Sequence, residues 1–443
     1  MIRRRLPWIS AVSLAIGLLS SSRARATQPL EAFLERAKSQ SFDSREASAT
    51  QRQRGSEADA SLGKLLPVFT ARGVYTRNQN EVAATFPGST DAMTGVMTPP
   101  TRLVITPLNQ LDAFLQLDVP IIDLANYHRY KASRALAESA AEQRGATNID
   151  VSRSVAQAYY QFLGADALVA SARESIKAAE ANLKNVDNRR AAGAATDLDH
   201  ERALASVARA EQDLADAQLS AALAGRSLET LSGLSPEPAG QQFPEDDLHG
   251  EGTLQSWLTL AGTTPNQRVA DKLGEAAEQN RKAASRALLP TLTGTAQERL
   301  TNATGFSGKT STYTLLLTLS WRLDYGTIAA SDAQRAALEV QRVRVERTKR
   351  ASEDAAFTAF QRVEAGRVKS RSAKAQADAA ARAAELSADR YSAGVATQLD
   401  VTQAQRDAFL ASAAKIQADA DLAFARASLR LATGVAVSDA RPR

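Results

Sequence analysis

The sequence predicts a mainly α-helical protein with some β-strand, built as an internal two-fold repeat of long antiparallel coiled-coil hairpins. The first observation behind this prediction is a glycine turn that occurs at residues 189–199 and again at 390–400. Its Gly, Ala, Thr, Leu and Asp recur at a constant shift of 201 positions, which indicates a duplicated unit. The second observation is that apolar residues beside both turns recur at spacings of four and three, the seam pattern of a coiled coil.

Residues 1–26 have the pattern of an export signal. Three arginines at positions 3–5 precede a short apolar core at 8–19, and Ala24-Arg25-Ala26 matches an A-x-A cleavage site. The leader holds five of the 54 basic residues and no acidic ones, so 49 basic residues balance 49 acidic ones elsewhere. The net charge of +5 therefore gives no indication of nucleic-acid binding. The absence of cysteine excludes disulfides and thiolate metal sites.

Each repeat opens with a helix that ends before Leu-Leu-Pro, at Pro67 and at Pro290. We expect strands at residues 65–79 and 111–122 in the first repeat and at 290–300 and 311–323 in the second, joined by polar loops. Two of these strands alternate with period two: Leu115, Leu117, Val119 and Ile121 against Gln116 and Asp118, and Tyr313, Leu315, Leu317, Leu319 and Trp321 against Thr314, Thr318, Ser320 and Arg322. Such a sheet has one apolar and one wet face, which suits either a soluble sandwich or a lipid-facing barrel.

Long helices are expected at residues 124–188 and 197–233, and again at 325–391 and 398–433. The first would be about 95 Å long at 1.5 Å per residue, which indicates an extended structure. The last carries two adjacent seams, so it should pack against neighbours on both sides, as a stave does in a barrel. Its two seams are Ala404, Ala408, Ala411, Ala418, Leu422, Ala425 and Leu429, and Phe409, Ala413, Ile416, Ala420, Ala423 and Ala427.

The predicted organisation is a first repeat at residues 27–234, a linker at 235–264 with a short helix, a second repeat at 265–434 and a tail at 435–443. Four strands per chain are too few to close a barrel or to hide their edges. In lipid, only a closed barrel satisfies every backbone group. Membrane strands would therefore require several chains to share one barrel, with eight strands from two chains or twelve from three.

The order of these parts resembles the outer-membrane efflux protein family of TolC-like channels across residues 27–434. The matching features are the Leu-Leu-Pro openings, Asp123 and Asp324 between strand and helix, and Tyr391-Ser-Ala-Gly-x-Ala-Thr-x-Leu-Asp-Val-Thr-Gln-Ala-Gln405. The resemblance implies a homotrimer, with a shared 12-stranded β-barrel in outer-membrane lipid and an α-barrel in the periplasm. It also implies a passive exit duct for tripartite efflux or type I secretion, with a periplasmic adaptor and an inner-membrane pump of the RND or ABC type. Drugs, metals and secreted proteins remain open as cargo.

The resemblance also implies a periplasmic gate formed by Asp199, Tyr391, Asp400 and Gln403. Asp199 and Tyr391 match two members of the family's closing network, whose arginine would fall at Ala396. Asp400 matches one acid of the selectivity ring, and Gln403 stands where the other would be. The alternative is that both aspartates only cap helices. Adaptor contacts are expected at the tips, where ordinary tight turns are the alternative: Gly193, Ala194, Ala195, Thr196, Gly394, Val395, Ala396 and Thr397.

No motif indicates catalysis, a cofactor, a metal site or nucleic-acid binding. The three histidines, His128, His200 and His249, lie in different predicted elements, and the residues of Asp199-His200-Glu201 point in different directions on a helix. A periplasmic adaptor and a structural coiled-coil protein of the cell envelope are the other classes considered. The duplicated strand–helix order argues against an adaptor, and the alternating strand that ends at Trp321 argues against a purely helical rod.

Overall fold

The computed structural model describes residues 28–238, 243–435 and 437, so the expected export signal and most of the expected tail lie outside the described residues. The helices are α1 (Leu30–Gln40), α2 (Phe42–Gly63), α3 (Leu124–Ala191), α4 (Asp197–Ser232), α5 (Leu254–Ala261), α6 (Pro265–Arg286), α7 (Tyr325–Ser392) and α8 (Gln398–Ala432). The strands are β1 (Val68–Arg77), β2 (Val82–Phe86), β3 (Thr101–Thr106), β4 (Asn109–Ile122), β5 (Thr291–Thr301) and β6 (Ser311–Ser320).

Four antiparallel strands form one sheet in the order β1-β4-β5-β6. Its register separates two faces, as the alternation in the sequence predicted. One row across the sheet is Thr70, Gln116, Gln297 and Thr314, and the next row is Phe69, Leu117, Ala296 and Leu315. The side chains of the first row lie on the polar face, and those of the second row lie on the apolar face. Because β1 and β6 pair on one side only, the sheet has two open edges.

The expectation of a polar loop between the strands at 65–79 and 111–122 is wrong in part. The antiparallel strands β2 and β3 form a separate two-stranded hairpin there. Both strands consist of short runs that contain β-branched and aromatic residues. The segment as a whole is rich in Thr, Pro and Gly, and this composition led to the prediction of a loop. Phe86 of β2 packs against Phe306 in the connection between β5 and β6, with ring centroids 6.5 Å apart.

The helices continue the order of the strands. Beside the sheet, α2, α3, α6 and α7 pack in that order, and farther away the order is α4, α3, α8 and α7. The two helices that run through both halves, α3 and α7, have 68 residues each and are about 100 Å long. No helix within the described ranges is long and apolar enough to cross a membrane.

Capping aspartates mark both transitions from strand to long helix. Asp123 accepts a hydrogen bond from the Asn126 backbone N–H at 2.8 Å, and Asp324 accepts one from the Thr327 N–H at 3.0 Å. Each carboxylate satisfies a free donor at a helix N-terminus. The strand and its helix therefore meet at a defined point, which lets a sheet and a helical layer continue one another.

Helix α8 uses two seams, as predicted. Leu422 and Leu429 pack with Val363 of α7 in one cluster, while Ala427 belongs to a cluster with Val155 of α3. Small residues bring α3 close to α8, since a Cβ added at Gly164 would lie 3.4 Å from that of Ala420. An α8 that is buried on two sides joins the first hairpin (α3 and α4) to the second (α7 and α8) in one helical layer.

The linker between the repeats is fastened to the second hairpin. Glu245 accepts hydrogen bonds from Lys374 of α7 at 2.7 Å and from Lys415 of α8 at 2.8 Å. These two ammonium groups lower the pKa of Glu245 from 4.5 to about 2. Because the folded-state pKa lies below the ordinary value, the bridge stabilises the fold above pH 4.5 and is lost as the pH falls towards 2.

We therefore expect Glu245→Gln to lower the unfolding temperature at pH 7 and to have no effect near pH 2. The measurement is thermal unfolding of both proteins across this pH range. Glu237→Gln, in an exposed part of the same linker, is the control and should show no such pH-dependent difference. A deficit of Glu245→Gln that stays constant from pH 7 to pH 2 would contradict the assignment.

Candidate functional site at the hairpin tips

The first tip is a compact turn that presents little side chain. Helix α3 ends at Ala191, and Gly193 follows with φ +72°. This left-handed conformation favours glycine. The Ala194 N–H then donates to the carbonyl oxygen of Arg189 at 2.7 Å, which closes the helix end before Thr196 caps α4.

The second tip repeats this geometry. Gly394 has φ +77°, and the Val395 N–H donates to the Arg390 carbonyl at 2.9 Å. Six of the eight predicted tip residues are exposed, whereas Ala195 and Ala396 are half-buried. These eight residues therefore offer mainly backbone and short side chains to solvent, with Val395 as the largest exposed apolar side chain among them, and Leu198 and Leu399 are exposed just after them.

Asp199 and Asp400 both belong to capping boxes. The Asp199 carboxylate accepts from the N–H and the hydroxyl of Thr196 at 3.1 and 2.8 Å, and Asp400 accepts from those of Thr397 at 2.9 and 2.7 Å. The backbone N–H and then the hydroxyl of Thr397 lower the pKa of Asp400. The capping interpretation of both aspartates thus matches the contacts, and Asp400 carries its charge on an exposed surface.

The two tips are joined by Arg189, which lies in the last turn of α3. Its Nη1 donates to the carbonyl oxygens of Tyr391 at 2.6 Å and of Ser392 at 3.0 Å. Its guanidinium carbon lies 4.7 Å from the centroid of the Tyr391 ring. A cation at the C-terminal end of α7 also interacts favourably with the negative end of the helix dipole. We call this contact the tip clamp.

Tyr391 lies in a small apolar cluster between the hairpins. It is 5% exposed and packs with Val186, Ala203 and Val401. Burial raises the pKa of the Tyr391 phenol, the nearby Asp199 carboxylate adds to this effect, and Arg189 opposes it. Within the described residues, the phenol oxygen has no hydrogen-bond partner. Asp199 therefore lies near enough to raise the pKa of the Tyr391 phenol but makes no hydrogen bond with it, whereas Ala396 contributes only an apolar contact to the cluster.

The family model described as "Outer membrane efflux protein" matches residues 33–234 and 264–435. The chain belongs to the outer membrane efflux protein family. It is accordingly an outer-membrane protein whose body extends into the periplasm, as the sequence predicted. The outer membrane protein OprJ of Pseudomonas aeruginosa is 29% identical over 289 residues, which span 61% of this chain and 58% of OprJ. The match thus covers less than two thirds of that relative.

Solved structures share the fold of this efflux protein along most of its length. A membrane protein from Pseudomonas aeruginosa aligns with a TM-score of 0.77 and 21% identity, covering 92% of this chain and 90% of that one. The outer-membrane channel OprN aligns with a TM-score of 0.76 and 20% identity, covering 93% and 91%. The open-state MtrE channel of Neisseria gonorrhoeae aligns at 0.75 and 18%, covering 94% and 92%. The predicted TolC-like fold is confirmed.

In this efflux protein, the other two predicted gate residues lie on one exposed face of α8. Asp400 is followed one turn later by Gln403, whose Nε2 donates to the carboxylate of Asp407 at 2.9 Å. Asp407 therefore adds a second acid to that face. Asp407 was not predicted from the sequence, although its separation of seven positions from Asp400 is the repeat of one helix face. Arg189 was not predicted either, although a basic residue in the last turn of a helix is a recognisable signal.

Within the described residues, one group of side chains could hold a metal ion, and it lies far along the chain from the tips. The group consists of Asp246, Asp247 and His249 in the linker. Arg426 of α8 donates to Asp246 at 2.8 Å and also contacts His249 and Glu251. The guanidinium already supplies the cation of this cluster, which fastens the linker to α8.

Proposed function

We propose that three copies of this efflux protein form the exit duct of a tripartite efflux or type I secretion system. The observation that supports this most directly is that the sheet and the helical layer share the same order of elements and the same two open sides. Strands β1 and β6 each pair on one side only, and the outermost helices are α2 and α7 beside the sheet and α4 and α7 farther from it. Three copies supply twelve strands, enough to close a barrel in lipid.

The outermost helices also carry apolar side chains that a monomer leaves in water. Burying them between copies would be favourable by about 25 cal/mol per Å². The exposed residues are Leu204, Leu219 and Leu223 on α4, and Val340, Val343, Phe357, Val368 and Leu386 on α7. The apolar face of the sheet then contacts outer-membrane lipid, and the polar face lines the passage.

The periplasmic end of the duct is the regulated end in this proposal. The tip clamp and the apolar cluster around Tyr391 hold the two hairpins of each subunit together when the passage is closed. Asp400, Gln403 and Asp407 line the passage, where the two acids attract cations. The small, exposed tips dock a periplasmic adaptor, which links the duct to an inner-membrane pump. In this proposal the repeats are residues 27–234 and 265–434, with the linker 235–264 around the middle.

The test of this function starts with protein extracted from the outer membrane. We expect a heat-sensitive trimer in detergent that forms ion channels in planar lipid bilayers. Because the chain contains no cysteine, a single cysteine introduced at Val395 should cross-link to a co-expressed adaptor, whereas one at Met93 in the β2–β3 connection should not. A monomer that is soluble without detergent and forms no channels would refute the proposal.

A second experiment separates helix capping from ion attraction at Asp400. We expect Asp400→Ala to raise the concentration of a trivalent cation, such as La³⁺, needed to block the channel by at least about tenfold, because charge-assisted contacts are lost. Asp199→Ala removes the equivalent capping box and is the matched control, with block expected to be retained. An unchanged La³⁺ block in Asp400→Ala would exclude Asp400 from the cation site.

A further inference from the structure

An aromatic ring lies between two arginines on the polar face of the sheet. Phe114 of β4 stands directly opposite Arg72 of β1 and directly opposite Arg299 of β5. The guanidinium carbons lie 4.9 Å and 5.8 Å from the ring centroid, respectively. Each cation faces the electron-rich side of the ring, an arrangement that holds a guanidinium in place.

The two arginines differ in how their charge is balanced. Arg299 forms a two-pronged contact with Asp112, with Nε and Nη2 at 2.9 and 2.8 Å from Oδ1. The Asp112 side chain is only 7% exposed, so its charge is committed to this pair. The exposed side chain of Arg72 makes no hydrogen bond or ion pair with any other described residue. Arg72 therefore presents an uncompensated, ring-supported cation on the polar face.

The remaining acid of this face lies too far away to neutralise Arg72. Asp118 is four residues from Phe114 along β4, which is about 13 Å in a strand and beyond a Debye length of about 8 Å at physiological salt. Its carboxylate is also occupied, since it accepts hydrogen bonds from Gln116 at 2.8 Å and from Thr295 at 2.7 Å. The charges along the passage are thus arranged in separate levels.

We propose that Arg72, supported by the Phe114 ring, forms an anion-binding belt inside the β-barrel and that it takes multivalent oxyanions, such as polycarboxylates or phosphates. This inference rests on the proposed function, in which three copies place three such units around one water-filled passage. One guanidinium group can donate two parallel hydrogen bonds to two oxygens of a carboxylate or phosphate. A ring of like charges with low-dielectric walls concentrates the opposite ion. The belt attracts anions at the level of the membrane, whereas Asp400 attracts cations at the periplasmic tips.

The test uses channels of the full-length protein in planar bilayers, with citrate as the probe. We expect citrate added on the barrel side to block the wild-type channel. Arg72→Gln should weaken this block about tenfold, the loss of one charge-assisted contact per subunit, and shift the reversal potential in a KCl gradient towards cation preference. Arg72→Lys keeps the charge but loses the fork, so it should retain the reversal potential and still bind citrate more weakly.

Arg77→Gln is the matched control, because it removes one cation per chain from the end of the same strand, where Arg77 is bonded to Asn109. Its citrate block and reversal potential should equal those of the wild type. Phe114→Leu leaves both arginines without their ring and should weaken citrate block by itself, so it tests the belt even if Arg72→Gln fails to assemble. Wild-type channels that citrate does not block, or equal block in Arg72→Gln and wild type, would overturn the belt and leave the duct intact. A wild-type protein without any conductance would instead refute the proposed function.

Discussion

Arg189→Ala is expected to raise the equilibrium constant for channel opening about thirtyfold. The substitution removes both hydrogen bonds of the tip clamp and the stacking of the guanidinium on Tyr391. Together these contacts are worth about 2 kcal/mol, which corresponds to that factor in an equilibrium constant. The open probability of single channels in planar bilayers measures the effect directly.

Arg190→Ala provides a matched control for the tip clamp. Arg190 is the next residue along α3, but its ion pair with Asp197, at 2.6 Å, stays within the first tip and is largely exposed. Such pairs contribute little, so the open probability should remain close to that of the wild type. Arg189→Lys should lie between the two, because an ammonium keeps the charge without the planar fork. Equal open probabilities in Arg189→Ala and Arg190→Ala would show that the clamp does not hold the gate.

Arg426→Ala is expected to cause the largest loss of stability. The side chains of Arg426 and Glu251 are 7% and 1% exposed, and they form an ion pair between α8 and the linker. Removing the guanidinium leaves the Glu251 carboxylate buried without its counter-charge, which costs about 3–5 kcal/mol. Trp257, which is fully buried and donates to the Glu251 carbonyl at 2.7 Å, should become exposed early. Unfolding in guanidinium chloride, followed by tryptophan fluorescence, measures the change.

Lys415→Ala is the control for that experiment. It removes a cation from the same helix, but its partner Glu245 is about half-exposed, so a loss of only about 0–1 kcal/mol is expected. The double variant Arg426→Met with Glu251→Gln should recover part of the stability, because no buried charge is left unpaired. If Arg426→Ala and Lys415→Ala were equally stable, the buried cluster would not be what fastens the linker.

The helices and the main sheet were predictable because their signals are local. Seams at spacings of three and four and alternation with period two are patterns of neighbouring residues. The capping boxes at Thr196 and Thr397 are four-residue motifs. The β2–β3 hairpin was not predicted, because its short strands lie among many turn-forming residues and the segment as a whole therefore has the composition of a loop.

The sequence by itself determined the repeat, the long helices, the two tips and the two faces of the sheet, because each depends on residues a few positions apart. Only the tertiary structure decided that Arg189 contacts Tyr391, 202 positions later, and that Arg426 meets the linker about 175 positions earlier. It also placed Arg72 and Arg299 on either side of Phe114. These contacts depend on how the two repeats lie side by side, and no local period specifies which charged side chain then reaches across.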